Sequence, residues 1–189
     1  MGITQIITAF GLAGAAGLNA YIPLLAVAVL GKLGFLNLSE PFNILTSWPA
    51  IIALSGFLVI EFVVDKVPGA DHVNDVVQTF VRPAAGAVLF AANSGVVSGM
   101  DPTLGLIAGL VLALGVHGAK AAARPAVNLT TMGIGGPVVS IIEDVTSAVA
   151  TFLAIFAPIV FVLFALVIGY VVFKLTRKIR ARRLRQATA

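Results

Sequence analysis

Long apolar runs separated by short polar stretches make up most of the chain. Each of five runs carries at most one side chain that is charged at neutral pH. Because an α-helix needs about 20 apolar residues to cross the hydrocarbon core of a bilayer, this pattern predicts transmembrane helices. We therefore expect an all-α integral membrane protein, a compact bundle of about five transmembrane helices in a single domain over residues 1–173. The runs are residues 2–31, 48–64, 83–100, 104–118 and 145–173.

The first run is too long for one straight span. A helix over residues 2–31 would be about 45 Å long, against a hydrocarbon core of about 30 Å. Pro23 removes a helical hydrogen-bond donor, and small residues before it allow close helix contact. We expect a tightly packed helix kinked near Pro23; a broken helix that lines a cavity is the alternative. The small-residue face, which also permits a homo-oligomer, contains Gly11, Gly14 and Gly17.

The last third of the body has a second irregular stretch. Residues 125–142 carry no charge, but three glycines and Pro137 interrupt them, and non-helical backbone at membrane depth must be surrounded by protein or line a cavity. This stretch predicts a surface loop or a re-entrant segment. Residues 145–173 predict one long fifth helix with Pro158 near its middle.

Composition agrees with the pattern of runs. Of all residues 59% are hydrophobic and 11% charged, with a mean hydropathy of +1.07, whereas about a quarter of the residues in soluble domains are charged. The chain has no Cys, so disulfides and thiolate metal sites are excluded. The first run has no preceding Lys or Arg, which argues against a cleaved signal peptide.

Basic residues concentrate at the C-terminal end. Residues 174–189 hold seven of the twelve Lys and Arg residues, immediately after an apolar run. Basic residues beside a span favour the cytoplasmic side, so we expect a multi-pass membrane protein with a basic cytoplasmic tail. Such a cluster attracts anionic lipid, which favours a membrane partner over nucleic acid.

The remaining charges gather at two junctions, one between the second and third predicted helices and one between the fourth and fifth. One span separates the junctions, so both are expected on the same membrane face. Asp71 is expected to cap the third helix, and Pro83 to begin or kink its span. The triplet Arg-Pro-Ala occurs at residues 82–84 and 124–126, which indicates a degenerate internal repeat.

Two pairs of carboxylates stand out in the first junction. Glu61 and Asp65 are four residues apart, as are Asp71 and Asp75, so each pair shares a helix face and repels itself. A bound divalent cation, protonation of one member, or salt bridges would relieve the repulsion. We expect these four to contact a cation or proton. The supporting polar cluster is expected to contain Lys66, His72, Arg82, His117, Lys120, Arg124, Glu143 and Asp144.

Two other functions fit the same residues. Four basic side chains, including Lys120 and Arg124, could bind a phosphorylated lipid, in a protein that binds or modifies it. Alternatively, the charges only solvate helix ends and pair with each other in a membrane scaffold. The chain has no phosphate-binding loop, nucleophile elbow or zinc-binding His pair, so we do not expect an enzyme.

The junction sequences resemble a known family. The pattern Glu61-x-x-x-Asp65-Lys66-x-Pro68-Gly69-x-Asp71-x-x-x-Asp75, with Thr79-Phe80-x-Arg82-Pro83 and His117-x-x-Lys120 after it, is similar to a bacterial membrane-protein family catalogued as domain of unknown function 4126. The resemblance covers most of residues 5–165 and implies a multi-pass protein of the bacterial inner (plasma) membrane without assigning a mechanism. Together with the charge cluster, it leads us to expect a small transporter or channel-like protein that handles a cation or another small solute.

Overall fold

The computed structural model describes residues 2–65, 70–94, 100–130 and 135–187. The described residues form seven α-helices and one short 3-10 helix, with no β-strand among them. The expected all-α class is confirmed, but two apolar runs are each divided into two helices. The α-helices are α1 (Gly2–Leu18), α2 (Tyr21–Lys32), α3 (Trp48–Val64), α4 (Ala70–Ser94), α5 (Pro102–Thr130), α6 (Gly135–Phe156) and α7 (Pro158–Ala187); the 3-10 helix is Phe42–Thr46.

The first apolar run breaks at Asn19, and the predicted kink at Pro23 is wrong. The Asn19 side-chain oxygen accepts hydrogen bonds from the backbone N–H groups of Tyr21 and Ile22, at 3.0 and 3.1 Å. These are N–H groups that the first turn of α2 cannot satisfy internally. Pro23 lies in this same turn, where its missing N–H costs little. An Asn cap, rather than the proline, therefore sets the boundary between α1 and α2.

At this boundary the chain reverses direction. Thr8 donates to the carbonyl of Ala154, and Ser147 donates to that of Ala15, so α1 runs antiparallel to α6. Leu36, just beyond α2, lines a pocket together with Thr4 near the start of α1. α1 and α2 therefore form a hairpin whose tip is residues 18–20. At twelve residues, α2 is about 18 Å long, shorter than a hydrocarbon core.

A proline divides the last apolar run as well, so the predicted single helix over residues 145–173 is wrong. Pro158 has no N–H for the carbonyl of Ala154, four residues earlier, and Thr8 Oγ1 lies 2.7 Å from that oxygen instead. A hydroxyl from α1 thus stabilises the end of α6. The basic residues from Lys174 onward continue α7 as one helix to Ala187.

Helices also replace most of the predicted loop or re-entrant stretch at residues 125–142. α5 continues to Thr130 and α6 begins at Gly135, so within this stretch only residues 131–134 lie outside the described chain. Glu143 and Asp144 consequently lie inside α6 and not at a helix start. Similarly, α4 begins before Asp71 and passes through Pro83 without ending.

Caps define other helix starts. The prediction of α3 at residues 48–64 is confirmed, and Ser47 Oγ accepts from the Ala50 N–H at 3.4 Å. Before α5, Asp101 accepts from the backbone N–H of Thr103 at 2.7 Å. This bond holds the pKa of the exposed Asp101 carboxyl below its ordinary value.

α1 lies at the centre of the fold and contacts α4, α5, α6 and α7. Seven of its residues are buried, nearly all Gly or Ala, so neighbouring helix backbones come close. A Cβ on Gly17 would lie 2.7 Å from the Ala113 carbonyl oxygen. α4 and α5 are closer still, because a Cβ on Gly109 would overlap the carbonyl of Gly86.

Apolar side chains cover the outside of this fold and polar ones fill part of its inside. Large hydrophobic residues are exposed along α3, α5, α6 and α7, such as Ile60, Val111, Phe152 and Leu166. Two described helical segments, Pro102–Ala122 and Gly135–Phe156, are long and apolar enough to cross a membrane. So much exposed apolar surface is unusual for a soluble domain and suggests membrane association.

The α4–α5 contact yields a test of the fold. We expect Gly109→Ala to lower the free energy of unfolding by about 1–3 kcal/mol, because its methyl group would force the two backbones apart. Gly118→Ala on the same helix is the matched control, since its Cβ would meet nothing within 4 Å. Thermal unfolding in detergent measures both. Equal melting temperatures for the two variants would contradict this close contact.

Candidate functional site

The centre of the candidate site is an ion pair between α3 and α4. Arg82 Nη2 donates to Glu61 Oε1 at 2.9 Å, and both side chains are 1% exposed. Glu61 lies in the last turn of α3, and Arg82 lies twelve residues from either end of α4. Burying either charge alone would cost several kcal/mol. The pair therefore fixes the two helices relative to each other.

His117 of α5 extends this pair. Its Nδ1 is 3.4 Å from Arg82 Nη1, and its Nε2 is 3.1 Å from Thr79 Oγ1. A guanidinium can only donate, so Nδ1 is the acceptor and a neutral imidazole carries its proton on Nε2. This tautomer donates to the Thr79 hydroxyl.

Three buried atoms of this group have no hydrogen-bond partner in the described part of the chain. They are Glu61 Oε2, Gln78 Oε1 and Arg82 Nε, two acceptors and one donor. Gln78 is 1% exposed, one turn before Arg82 on α4, and its side chain lies near that of Tyr21. Side chains of α2, α3 and α4 thus meet around polar atoms that can receive a further small polar species.

A second ion pair lies at the end of α1. Lys120 Nζ is 2.7 Å from Glu143 Oε2 and donates to the Leu18 carbonyl at 3.3 Å. The last carbonyls of a helix have no intrahelical partner and carry partial negative charge. Lys120 therefore stabilises the broken end of α1 while Glu143 balances its charge.

Further hydrogen bonds connect the hairpin tip and the junctions to α6. Asn19 Nδ2 donates to Asp144 Oδ1 at 2.9 Å. Asp65 accepts from Asn74 on α4 at 2.6 Å and from Ser140 on α6 at 2.9 Å. Asp65 is thus in contact with both helices that follow the two junctions, as expected if the junctions lie at the same end of the bundle.

Seven of the predicted site residues meet in this cluster. Five of their side chains are buried, and those of Glu143 and Asp144 are half-buried. The sequence predicted Arg82 and His117 near helix ends, but they lie near the middle of α4 and α5. The reason is that both helices continue for three turns or more beyond these residues. The seven are Glu61, Asp65, Arg82, His117, Lys120, Glu143 and Asp144.

Five predicted site residues cannot be placed in the same way. Lys66 lies outside the described residues. Four others lie in α4 or α5, but their own side chains are not described: Asp71, His72, Asp75 and Arg124. The expected site of four carboxylates therefore stays a prediction. Among the side chains that are described, no three His, Cys, Asp or Glu groups are arranged to hold a metal ion.

The sequence interpretation missed the uncharged members of the cluster. Asn19, Asn74 and Ser140 each donate a hydrogen bond within it, and Gln78 is buried beside Tyr21. A signal exists for two of them: Asn19 is one of two amides in the uncharged first run, and Gln78 is one helical turn from Arg82.

Sequence comparison identifies the family. The profile described as Domain of unknown function (DUF4126) matches residues 6–178. The chain belongs to this DUF4126 family. Comparisons with curated proteins and with solved structures find no match. The match extends beyond the expected residues 5–165 into the first basic residues of α7. It includes every described member of the polar cluster.

The buried ion pair gives a prediction for a double-mutant cycle. We expect Glu61→Gln or Arg82→Gln alone to destabilise the protein by about 3–5 kcal/mol, because each leaves one buried charge uncompensated. The double variant should be more stable than the sum of the two effects predicts. Chemical unfolding in detergent measures the cycle. Additive effects would show that the two side chains do not interact.

Asn19 allows the hairpin tip to be tested separately. We expect Asn19→Ala to lower the free energy of unfolding by about 1–2 kcal/mol, because α2 loses its cap and Asp144 loses a donor. Asn19→Ser, which can still cap the helix, should cost less. The measurement is denaturant unfolding followed by circular dichroism. Wild-type stability of Asn19→Ala would contradict the proposed cap.

Proposed function

We propose that the protein is an integral membrane protein and that its polar cluster lies within the bilayer. The apolar exterior supports this, since lipid chains would solvate the exposed hydrophobic side chains better than water does. Length supports it too: the apolar segments Pro102–Ala122 and Gly135–Phe156 have 21 and 22 residues, so each is about 30 Å long or slightly more, which is enough to cross a hydrocarbon core of about 30 Å. The basic end of α7 then favours a cytoplasmic C-terminus in a bacterial inner membrane.

Within that setting, the protein is a small transporter or channel-like protein that moves a cation, and a proton is the cation that the cluster fits best. The observation that carries this is Glu61, which is 1% exposed and has one oxygen paired to Arg82 and the other without a partner. An ionisable group inside a membrane-spanning bundle is costly and marks ion pathways and proton relays. Such a carboxylate can accept a proton at its unpartnered oxygen.

The neighbours of Glu61 favour a proton over a divalent metal ion. Arg82 lies 2.9 Å from the carboxylate and would repel a metal cation there. A water molecule, in contrast, carries no net charge, and it can donate to Glu61 Oε2 or to Gln78 Oε1 or accept from Arg82 Nε. The three partnerless atoms thus have the pattern of a proton-carrying site.

Protonation of Glu61 would change the forces between helices. A neutral carboxyl group no longer balances Arg82, so the guanidinium must find other acceptors or the helices must shift. The tip of the α1–α2 hairpin adjoins the pair, through the contact between Tyr21 and Gln78. Discontinuous helices that end at a midplane site are the moving parts of many secondary transporters. The hairpin tip is therefore the element that we expect to respond.

The phosphorylated-lipid alternative receives less support. Glu61 compensates Arg82, while Glu143 and the Leu18 carbonyl compensate Lys120, so neither cation is available for a phosphate without breaking these contacts. A scaffold without transport activity remains the alternative that the experiment must separate from proton movement.

Proton flux into proteoliposomes tests the proposal. We expect wild-type protein to dissipate an imposed pH gradient, followed with an encapsulated pH-sensitive dye, faster than empty liposomes do. Glu61→Gln should reduce the rate to that of empty liposomes, because an amide cannot carry the proton. Glu61→Asp keeps an ionisable group and should retain part of the flux. Glu40→Gln is the matched control, since Glu40 is exposed and outside the cluster.

Parallel assays with dyes for Ca²⁺ and Mn²⁺ separate the possible cargoes. Flux of a divalent ion without proton flux would contradict the proton assignment but leave a cation transporter. If folded wild-type protein moves neither protons nor metal ions, the transport proposal is wrong and the cluster is structural. Size-exclusion chromatography of each variant confirms that loss of flux does not reflect misfolding.

A further inference from the structure

An open groove of about 440 Å³ follows α2 between α3 and α6. It extends along α2 from Ile22 to Leu30, about 12 Å, and its volume is in the range of roughly 300–1,000 Å³ found for small-molecule sites. Ala26 and Ala148 leave room for an occupant where larger side chains would fill it. The other walls are mostly branched aliphatic and aromatic side chains, among them Leu25, Val29, Leu58, Phe152, Ile155 and Phe156.

The groove opens onto the apolar exterior of the protein. Phe152 and Phe156 line it and are 60% and 53% exposed. In a bilayer this opening would face the lipid chains, and an apolar chain would enter it without desolvating any charge. The position of the groove thus favours an occupant that is itself a membrane component.

A cation and an indole lie at one end of the groove. Lys32 is one helical turn beyond Val29 on the same face of α2, and its Nζ is 4.7 Å from the centre of the Trp48 ring. Lys and Trp side chains in this combination are typical of the membrane–water interface. The positive charge is complementary to an anionic headgroup at the level where an inserted acyl chain would emerge.

One polar group interrupts the apolar walls. Thr151 lines the groove and is only 3% exposed, and its hydroxyl has no hydrogen-bond partner among the described residues. A buried hydroxyl without a partner costs free energy. An occupant that carries a carbonyl oxygen, such as the ester of a lipid, would accept a hydrogen bond from the Thr151 hydroxyl.

We propose that this groove binds one acyl chain of an anionic phospholipid, with the headgroup beside Lys32 and Trp48 and the Thr151 hydroxyl donating to an ester carbonyl. The site is separate from the Glu61 cluster. The proposal rests on the membrane location of the protein but not on proton transport.

Photolabelling tests it. Phosphatidylglycerol with a diazirine in one acyl chain is reconstituted with the full-length protein, irradiated, and the adducts are mapped by mass spectrometry. We expect adducts to concentrate on the groove-lining residues of α2 and α6. Ala148→Phe, which fills the groove, should remove them. Ala53→Phe, at an exposed alanine on α3 outside the groove, should leave them unchanged.

Competition by unlabelled lipids tests the polar contacts. Phosphatidylglycerol should compete better than phosphatidylcholine, and Lys32→Gln should abolish the difference. Thr151→Val should weaken competition by about two- to tenfold, the loss expected for one hydrogen bond. Adducts spread evenly over the exposed faces of α5 and α7 would overturn the proposal. So would an unlabelled groove in the wild type, the result expected if a second copy of the chain covers it.

Discussion

The ion pair between Glu61 and Arg82 connects α3 to α4 in the interior of the bundle, and the hydrogen bond from Asn74 to Asp65 connects the same two helices at the end of α3. Both charges are almost fully buried, so each is stable there only because of the other. Arg82 also contacts His117, which brings α5 into the same network. The close approach of α4 and α5 at Gly86 and Gly109 places these side chains within reach, since the glycines lie one to two turns from the pair. Packing and electrostatics therefore depend on each other.

The break between α1 and α2 brings helix ends into this interior. Helix ends carry unsatisfied backbone groups and partial charges that need partners. Lys120 supplies one to the end of α1, and Asn19 supplies one to the start of α2. Asn19 in turn binds Asp144, so the caps and the charged side chains form a continuous set of contacts. A change of charge at Glu61 would alter the electrostatic interaction with Tyr21, the first residue of α2 after the hairpin tip.

The sequence predicted the helical class, α3 and seven members of the polar cluster, because apolar runs and isolated charges are local signals. It did not predict the hairpin, since a cap by one Asn side chain competes with the more obvious Pro23, and the reversal is visible only in tertiary contacts such as the pocket shared by Thr4 and Leu36. Residues 125–142 were misjudged for a related reason: glycines that weaken an isolated helix are tolerated where close packing requires them, and both Gly135 and Gly136 are buried at the start of α6. The pairing of Glu61 with Arg82, 21 residues apart, depends on tertiary structure and has no local pattern.

The central claim is that Glu61 exchanges a proton within the bilayer while Arg82 remains charged. Infrared difference spectroscopy of the protein in lipid nanodiscs, recorded as the pH is lowered, measures this directly through the carbonyl stretching band of a protonated carboxyl group. We expect a band that appears reversibly with falling pH in the wild type and is missing in Glu61→Gln. Glu40→Gln should leave this band unchanged. A wild-type spectrum whose protonated-carboxyl bands all persist in Glu61→Gln would contradict the claim and leave the ion pair with a structural role alone.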